Sequence, residues 1–164
     1  MSTNKKIRVA IVGVGNCAKS LVEGIQYYME NPEDKVGLMY PDIGGYAAGD
    51  ILFVAGFDVD RRKVNHPLKE ALRAKPNCAM DHVDEIYEVG NARNEHGDIG
   101  CVEKGAMVYS GPELDGIAPW MLDYPEDVSF RTGAIPAEPF ERIVDLLKYH
   151  KVDVVINYLP VGSE

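Results

Sequence analysis

The 164-residue sequence predicts an α/β fold, in which a parallel sheet carries helices on both faces. Two observations lead to this prediction. Apolar runs rich in β-branched residues alternate with segments in which apolar residues recur at helical spacing. Their order is strand, helix, strand, helix, strand, helix, strand, and such alternation implies right-handed crossovers within one parallel sheet.

The first strand and the first helix have the clearest patterns. Residues 7–12, IRVAIV, form a short apolar run that is typical of a strand buried on both faces. Beyond Gly15 the apolar side chains follow the stripe of a helix with one buried face, which Asn31-Pro32 should end. The stripe consists of Leu21, Val22, Ile25, Tyr28 and Met29.

The middle of the chain is less regular. A long loop is expected over 32–49, where prolines and glycines are frequent, and a second buried strand over 50–58. A short helix is predicted over 68–75. We interpret residues 76–104 as a peripheral insertion, in which the stretch DHVDEIYEV could form one or two helical turns.

The last third of the chain supplies two further predicted strands, over 105–112 and 152–160, with a helix over 137–151 between them. Residues 113–136 hold several prolines, which predict irregular structure around a short helix. The later helix is expected to bury one face. That face consists of Phe140, Ile143, Val144 and Leu147.

The stretch GVGNCA at 13–18 fits the G-x-G-x-x-G/A pattern of a dinucleotide-binding turn. Gly13 would turn the chain tightly, Gly15 would let a pyrophosphate approach the backbone, and Ala18 would let the helix pack closely. Asn16 could cap the helix or reach the cofactor. Because the pattern follows a strand and opens a helix, it predicts a Rossmann-type, doubly wound sheet. A plain turn without a ligand is the alternative.

The acidic residue expected at the tip of the second strand is Asp58. Its carboxylate would bind the hydroxyls of an adenosine ribose and repel a 2′-phosphate, unless it is only a solvated acid. Asp58 lies 43 residues beyond Gly15, against roughly 20 in the usual pattern, and the loop 32–49 accounts for the excess. Arg61 and Arg62 could instead hold a 2′-phosphate. Such a basic pair more often begins a solvated helix, so we expect NAD as the cofactor.

Loops at the carboxyl ends of the later strands could complete the same site, because these ends line the crevice of an open α/β sheet. Gly111 follows the third strand, and Asn157, Pro160 and Ser163 lie at the end of the fourth. They could face the ribose or the nicotinamide. Ordinary turn chemistry explains each of them equally well.

Two cysteines and two histidines in the insertion offer a metal-site alternative. They are Cys78, His82, His96 and Cys101. The order C-x3-H…H-x4-C is not the usual arrangement of zinc ligands, so we expect no metal. No set of side chains resembles a nucleophile–base–acid triad, and we predict no catalytic residue in this chain.

Composition argues against several classes of function. A formal net charge of -9 disfavours non-specific binding to nucleic acid or to anionic membranes. No apolar run approaches the roughly 20 residues of a membrane span, and the opening MSTNKK lacks the apolar core of a secretory signal. The three cysteines are far apart and do not suggest a disulfide framework. We therefore expect a protein of the reducing cytoplasm.

Four blocks of the sequence resemble myo-inositol-1-phosphate synthases, in particular the actinobacterial and related prokaryotic forms. The blocks are RVAIVGVGNCAKSLVEGIQYY, FVAGFDVDRRKV, GPELDGI and VDVVINYLPVGSE, and the family has them in the same order. They cover the chain except the loop 32–49 and the stretch from about 76 to 104. That stretch is longer here than in the family.

The resemblance implies an NAD-dependent isomerase that makes inositol 1-phosphate from glucose 6-phosphate, a step of inositol and phospholipid biosynthesis. In the family, NAD oxidises the sugar at C5, an intramolecular aldol step closes the ring, and NADH reduces the product. Family members are usually tetramers. The positions implied at the pyrophosphate are Gly13, Gly15, Asn16, Cys17 and Ala18, with Asp58 at the ribose.

Family chains are much longer, and the resemblance implies that the catalytic lysines and the sugar-phosphate site lie beyond LPVGSE. We therefore expect an N-terminal, NAD-binding piece that does not turn over glucose 6-phosphate alone, although a short natural paralogue also fits. The sheet should be incomplete at its C-terminal end, since no helix follows the strand at 152–160. Two alternatives stay open: another NAD-dependent dehydrogenase or reductase, and a non-catalytic NAD-sensing module that uses 76–104 to contact a partner.

Overall fold

The computed structural model describes residues 6–113, 119–133 and 135–159. In chain order its elements are β1 (Ile7–Val12), α1 (Asn16–Glu30), β2 (Ile51–Asp58), α2 (Leu68–Ala71), β3 (Arg93–Asn94), β4 (Gly97–Asp98), β5 (Val108–Ser110), α3 (Phe140–Tyr149) and β6 (Val154–Asn157). Two short 3₁₀ helices span Ala48–Asp50 and Pro119–Asp123. No helix among the described residues is long and apolar enough to cross a membrane.

The main sheet confirms the predicted doubly wound α/β fold. Its four strands are parallel and lie in the order β5-β2-β1-β6, which is the order of the first four strands of a Rossmann sheet. Helices α1 and α2 pack on one face and α3 packs on the other. Side chains alternate along β1, so that Val9 and Ile11 face α1 while Ala10 faces α3. The strand order reverses at β1, and its carboxyl end is therefore where such sheets bind ligands.

Most predicted elements exist but are shorter than expected. β1 and α1 occupy the predicted residues, whereas α2 ends at Ala71 and the predicted strand over 105–112 is confined to β5. Helix α3 begins only after Pro139. The proline disfavours helical geometry at the residue before it, so the helix cannot include Glu138.

The predicted buried face of α3 is partly wrong. Phe140 is 64% exposed and Val144 47% exposed, whereas Leu146 is only 4% exposed. Ile143 and Leu147 do pack against the sheet, around Leu146. The sheet contacts a helical face centred on Leu146. The observed face is rotated relative to the predicted one, because the orientation of the helix on the sheet decides which neighbouring stripe is buried.

The interpretation of residues 76–104 as peripheral is wrong. A covering segment, residues 77–102, lies along α1 and buries Val83, Ile86 and Val102 in the larger core. The Phe53 N–H donates to the Cys101 carbonyl at 2.9 Å, so the end of the segment pairs with the amino half of β2. The segment is therefore an integral layer of the domain. It includes only the short hairpin β3–β4 as regular structure.

Polar side chains on α1 hold the covering segment through its backbone. The Lys19 ammonium donates to the Ala79 carbonyl and to Asp81, each at 2.6 Å. The Glu23 carboxylate accepts the His82 N–H at 2.9 Å, and Gln26 accepts the Tyr87 N–H at 2.7 Å. These contacts use up backbone groups that a helix would need for itself. The helical turns predicted within 81–89 are accordingly absent, and those residues form turns and extended backbone.

A cluster around His150 fastens the end of α3 to the sheet. The Tyr109 hydroxyl and His150 Nε2 are 2.8 Å apart, and the Arg8 Nε donates to the His150 carbonyl at 2.7 Å. Arg8 also forms an ion pair with Glu103 at 2.7 Å. Burial lowers the pKa of His150, and the nearby Glu103 carboxylate opposes this shift only in part.

Replacing Glu23 by Ala should lower the free energy of unfolding by about 1–3 kcal/mol. Glu23 is fully buried and pairs with Arg73 at 3.1 Å, so its loss leaves the His82 N–H without an acceptor and removes the carboxylate partner of the Arg73 guanidinium. The loss is below that for a fully buried ion pair, because the Arg73 side chain is 30% exposed. Urea denaturation measures the change. The exposed Glu33→Ala is the control, and an equal loss in both variants would contradict the role of Glu23.

Stability should fall as the pH drops below about 6.5, and His150→Phe should reduce this dependence. The folded pKa of His150 is below its unfolded value, so between the two values the unfolded chain binds more protons. The stabilisation is therefore present above the unfolded pKa and is lost as the pH falls through the folded one. Denaturation curves at several pH values between about 5 and 7 measure the slope. An unchanged slope in the variant would contradict the assignment.

Candidate functional site

Gly13 makes the tight turn that the glycine pattern predicts. Its φ angle is +87°, a conformation that side chains other than glycine rarely adopt, and its N–H donates to the Phe57 carbonyl at 2.8 Å. A Cβ atom at this position would lie 3.1 Å from the backbone carbon and oxygen of Tyr158. The turn after β1 therefore packs directly against the chain that leaves β6.

Gly15 and the start of α1 face open space. No atom lies within 4 Å of a Cβ built on Gly15, whereas Ala18 is fully buried where the helix meets the core. Gly15 is the N-cap of α1, no side chain of the described residues caps the helix, and its first turn holds no acidic residue. Free N–H groups at a helix N-terminus carry a partial positive charge. The arrangement can therefore accept an anionic group, and Cys17 lies exposed in this first turn.

Asn16 does not cap the helix, so that part of its prediction is wrong. Its side-chain oxygen accepts the backbone N–H groups of Cys78 and Ala79, each at 2.8 Å. The side chain thus joins the glycine turn to the beginning of the covering segment. Whether Asn16 also contacts a cofactor stays a prediction.

Asp58 lies beside the glycine turn at the end of β2. One carboxylate oxygen accepts the Val14 N–H at 2.8 Å, and the other accepts the N–H groups of Val59 and Asp60 at 2.8 Å. These three bonds hold the turn against β2. Asp58 therefore has a structural function in addition to the ribose contact that the sequence predicts, and its side chain is 11% exposed.

A buried lysine and a buried asparagine hold the carbonyl group of the same residue, Val14, which belongs to the next peptide unit. The Lys63 ammonium donates to the Val14 carbonyl at 2.7 Å and to the Asn77 side-chain oxygen at 2.9 Å. The Asn77 amide also donates to the Val14 carbonyl, at 3.1 Å. Burial lowers the pKa of Lys63, while Asp58 at 4.0 Å opposes the shift. The sequence gives no signal for either residue, because Lys63 stands in the charged run DVDRRK, which looks solvated.

The arginines considered as 2′-phosphate ligands bind other groups. The Arg62 guanidinium donates two hydrogen bonds to the carboxylate of the fully buried Asp60, at 2.9 and 2.5 Å, and one to the Ser129 carbonyl at 2.7 Å. Burial alone would raise the pKa of Asp60, but hydrogen bonds from Arg62 hold this pKa below its usual value. Arg61 pairs with Glu126 at 3.0 Å near the surface. Arg62 is therefore a structural residue.

A cavity of about 220 Å³ opens between the loops that follow β2 and β5. Its walls include Val59, Arg61, Ser110 and Gly111, and the Gly111 N–H donates to the Asp58 carbonyl at 2.9 Å. Asn157 lies exposed at the end of β6, where its side chain accepts the Leu159 N–H at 2.8 Å. The remaining predicted positions, Pro160 and Ser163, lie outside the described residues.

The alternative zinc set is not brought together. Cys101 is fully buried in the core, and its thiol donates to the Val22 carbonyl at 3.6 Å. Burial raises its pKa to about 12, which makes it a poor metal ligand. Cys78 instead lies exposed beside Asn16. In the part of the chain that the structure describes, no three His, Cys, Asp or Glu side chains converge on one point.

Comparison with known sequences identifies homologues. No family model matches the sequence. The sequence is 41% identical over 161 residues to inositol-3-phosphate synthase of Mycolicibacterium smegmatis, covering 97% of this chain and 38% of that protein. It is 39% identical over 166 residues to inositol-3-phosphate synthase of Corynebacterium glutamicum, covering 100% of this chain and 39% of that protein. The chain thus spans less than two fifths of the length of each of these curated relatives.

Two solved structures share the fold. The crystal structure of Ari2 superposes with a TM-score of 0.66 at 28% identity, covering 96% of this chain and 40% of that one. A myo-inositol-1-phosphate synthase-related protein from Thermotoga maritima superposes with a TM-score of 0.60 at 19% identity, covering 94% of this chain and 34% of that one. The resemblance found in the four sequence blocks is confirmed: the chain is homologous, over nearly its whole length, to a part of inositol-3-phosphate synthases.

Replacing Gly13 by Ala should lower the free energy of unfolding by about 2 kcal/mol or more. The change adds both backbone strain at φ +87° and a 3.1 Å contact with the Tyr158 backbone. Gly90→Ala is a matched control, since Gly90 has φ +84° but no atom within 4 Å of a built Cβ. Thermal and urea denaturation should show a larger loss for Gly13. Equal losses would mean that the approach of β6 to the turn has no influence.

Proposed function

We propose that this chain is the NAD-binding part of an inositol-phosphate synthase and that NAD binds at the glycine turn. One observation carries the proposal. The open, uncapped N-terminus of α1 at Gly15 follows the carboxyl end of β1, in a chain 41% identical to an inositol-3-phosphate synthase. Anionic phosphates bind favourably at a helix N-terminus in this setting, because free N–H groups and the helix dipole attract negative charge.

The pyrophosphate of NAD would lie against Gly15 and the first turn of α1. The open space in front of Gly15 leaves room for a phosphate to approach the backbone. Gly13 and Ala18 would shape the turn without contacting the phosphate through side chains. Asn16 and Cys17 stand at the first two positions of the helix, where their N–H groups could donate to phosphate oxygens.

The adenosine ribose would lie beside Asp58, with the adenine directed toward the cavity next to Gly111. The Asp58 carboxylate already accepts three backbone N–H groups, but two carboxylate oxygens offer about four acceptor positions, so a ribose hydroxyl can still be bound. Its negative charge would repel a 2′-phosphate. The engagement of Arg62 with Asp60 also supports NAD over NADP.

The whole protein would convert glucose 6-phosphate to inositol 1-phosphate, if its polypeptide continues as in the homologues. Bound NAD would supply a hydride acceptor that is regenerated within each turnover. The described residues of this chain would bind and orient the cofactor, and Asn157, Pro160 and Ser163 would border its nicotinamide end. We propose a cytoplasmic homo-oligomer, with a tetramer as the expected form. An inositol phosphate assay with glucose 6-phosphate and NAD tests this activity on the complete polypeptide.

NAD should bind to the chain more tightly than NADP, and Gly15→Ala should weaken NAD binding about tenfold or more. A methyl group at Gly15 fills the space into which the phosphate would come, while the ordinary φ of −97° at this position leaves the fold intact. Isothermal titration calorimetry measures both affinities. The control is Gly24→Ala on the same helix, where a built Cβ also has no atom within 4 Å but which lies nine residues farther along the chain.

Two results would contradict the proposal. The first is a wild-type chain that binds neither dinucleotide. The second is a Gly15→Ala variant that binds NAD as tightly as the wild type and Gly24→Ala do. Preference for NADP would instead reassign the ribose pocket to Arg61 and leave the glycine turn in place.

A further inference from the structure

We propose that Lys63 is a positioning residue that directs the N–H group of Gly15 toward a phosphate. This inference rests on the proposed binding of a dinucleotide at the glycine turn. It adds a residue from outside the glycine pattern to the machinery of the site. Lys63 acts on the peptide unit that joins Val14 to Gly15.

The orientation of that peptide unit is set from its carbonyl side. In a planar trans peptide the C=O of one residue and the N–H of the next point in opposite directions. The Val14 carbonyl points into the protein, where it accepts from Lys63 at 2.7 Å and from Asn77 at 3.1 Å. The Gly15 N–H must therefore point the opposite way, out of the protein. A Cβ built on Gly15 also has no neighbouring atom within 4 Å, so the backbone here can be approached.

Among the described residues, the polar contacts of the Lys63 side chain are with this turn and its support. The side chain is buried, and a buried ammonium is unfavourable unless it is paired. Its partners are the Val14 carbonyl, the Asn77 side chain and, at 4.0 Å, Asp58. Lys19 is buried to a similar degree, yet it binds Ala79 and Asp81 in the covering segment. Burial of a lysine in this fold thus does not by itself imply contact with the turn.

Orientation rather than direct attraction is the main effect. The carboxylate of Asp58 lies 4.0 Å from the Lys63 ammonium and offsets much of its charge as seen by a ligand. Asp58 also holds the preceding peptide unit through the Val14 N–H at 2.8 Å. Both peptide units that flank the Val14 Cα are therefore fixed from inside the protein. A turn without Lys63 could rotate the second unit and withdraw the Gly15 N–H.

Lys63→Met tests the proposal, because methionine keeps most of the buried apolar stem and removes the donor. We expect the affinity for NAD to fall about tenfold or more, the scale of one charge-assisted hydrogen bond, while the affinity for adenosine changes less than threefold. Adenosine lacks the pyrophosphate and reports on the rest of the pocket. NMR titrations give both affinities. Arg73→Met is the control, since it removes a cation that binds Glu23 and the covering segment instead of the turn.

Amide hydrogen exchange gives a second measurement that needs no ligand. The Val14 N–H, bonded to Asp58, should exchange faster in Lys63→Met than in Arg73→Met at equal global stability. If Lys63→Met does not fold, Asn77→Ala removes the other donor to the Val14 carbonyl, and it should reduce NAD affinity about threefold with the same selectivity over adenosine.

Three results would overturn the inference. NAD affinity could remain at the wild-type value in a folded Lys63→Met chain. NAD and adenosine could lose affinity to the same extent, which would indicate a general loosening of the fold. The Val14 N–H could keep its wild-type exchange rate. A wild-type chain that binds no dinucleotide would overturn the proposed function instead, and the exchange measurement would still decide whether Lys63 fixes the turn.

Discussion

The structure depends on how the backbone of Val14 is held at the carboxyl end of β1. Its N–H is bound by Asp58 and its C=O by Lys63 and Asn77, so residues from the end of β2 and the loop after it meet the start of the covering segment at one amino acid. The preceding Gly13 can then turn with φ +87° against the chain that leaves β6. Through this one position the end of β2, the start of the covering segment and the sheet edge are fixed relative to α1.

The covering segment extends this constraint along the whole of α1. Asn16 holds its first residues, and Lys19, Glu23 and Gln26 continue at helical spacing toward the other end. Polar side chains on a helix face are usually solvated. Here they form hydrogen bonds with the backbone of the irregular covering segment, as a neighbouring strand would in a sheet. Apolar residues of the segment fill the space between α1 and β2. The glycine turn and the larger core are therefore stabilised by the same layer.

A single carboxylate unites the fold and the candidate site. Asp58 was expected to face a ribose, and it lies at the predicted strand end, but its three backbone contacts make it part of the turn itself. Substitution of this residue would change the shape of the glycine turn together with any ribose contact. The variants that separate binding from folding therefore alter Gly15 and Lys63 and leave Asp58 in place.

The sequence alone determined the α/β class, the parallel sheet, β1, α1 and the glycine turn, because hydrophobic periodicity and glycine stereochemistry act over a few neighbouring residues. It also carried the four blocks shared with the inositol-3-phosphate synthases. Tertiary structure decided the rest. Whether Lys63, Glu23 and Gln26 are solvated or buried depends on which other part of the chain packs against them. Asn77 lies 14 residues from Lys63, and no local pattern predicts the hydrogen bond between them. Buried and exposed polar residues look the same in a sequence, and only long-range packing distinguishes them.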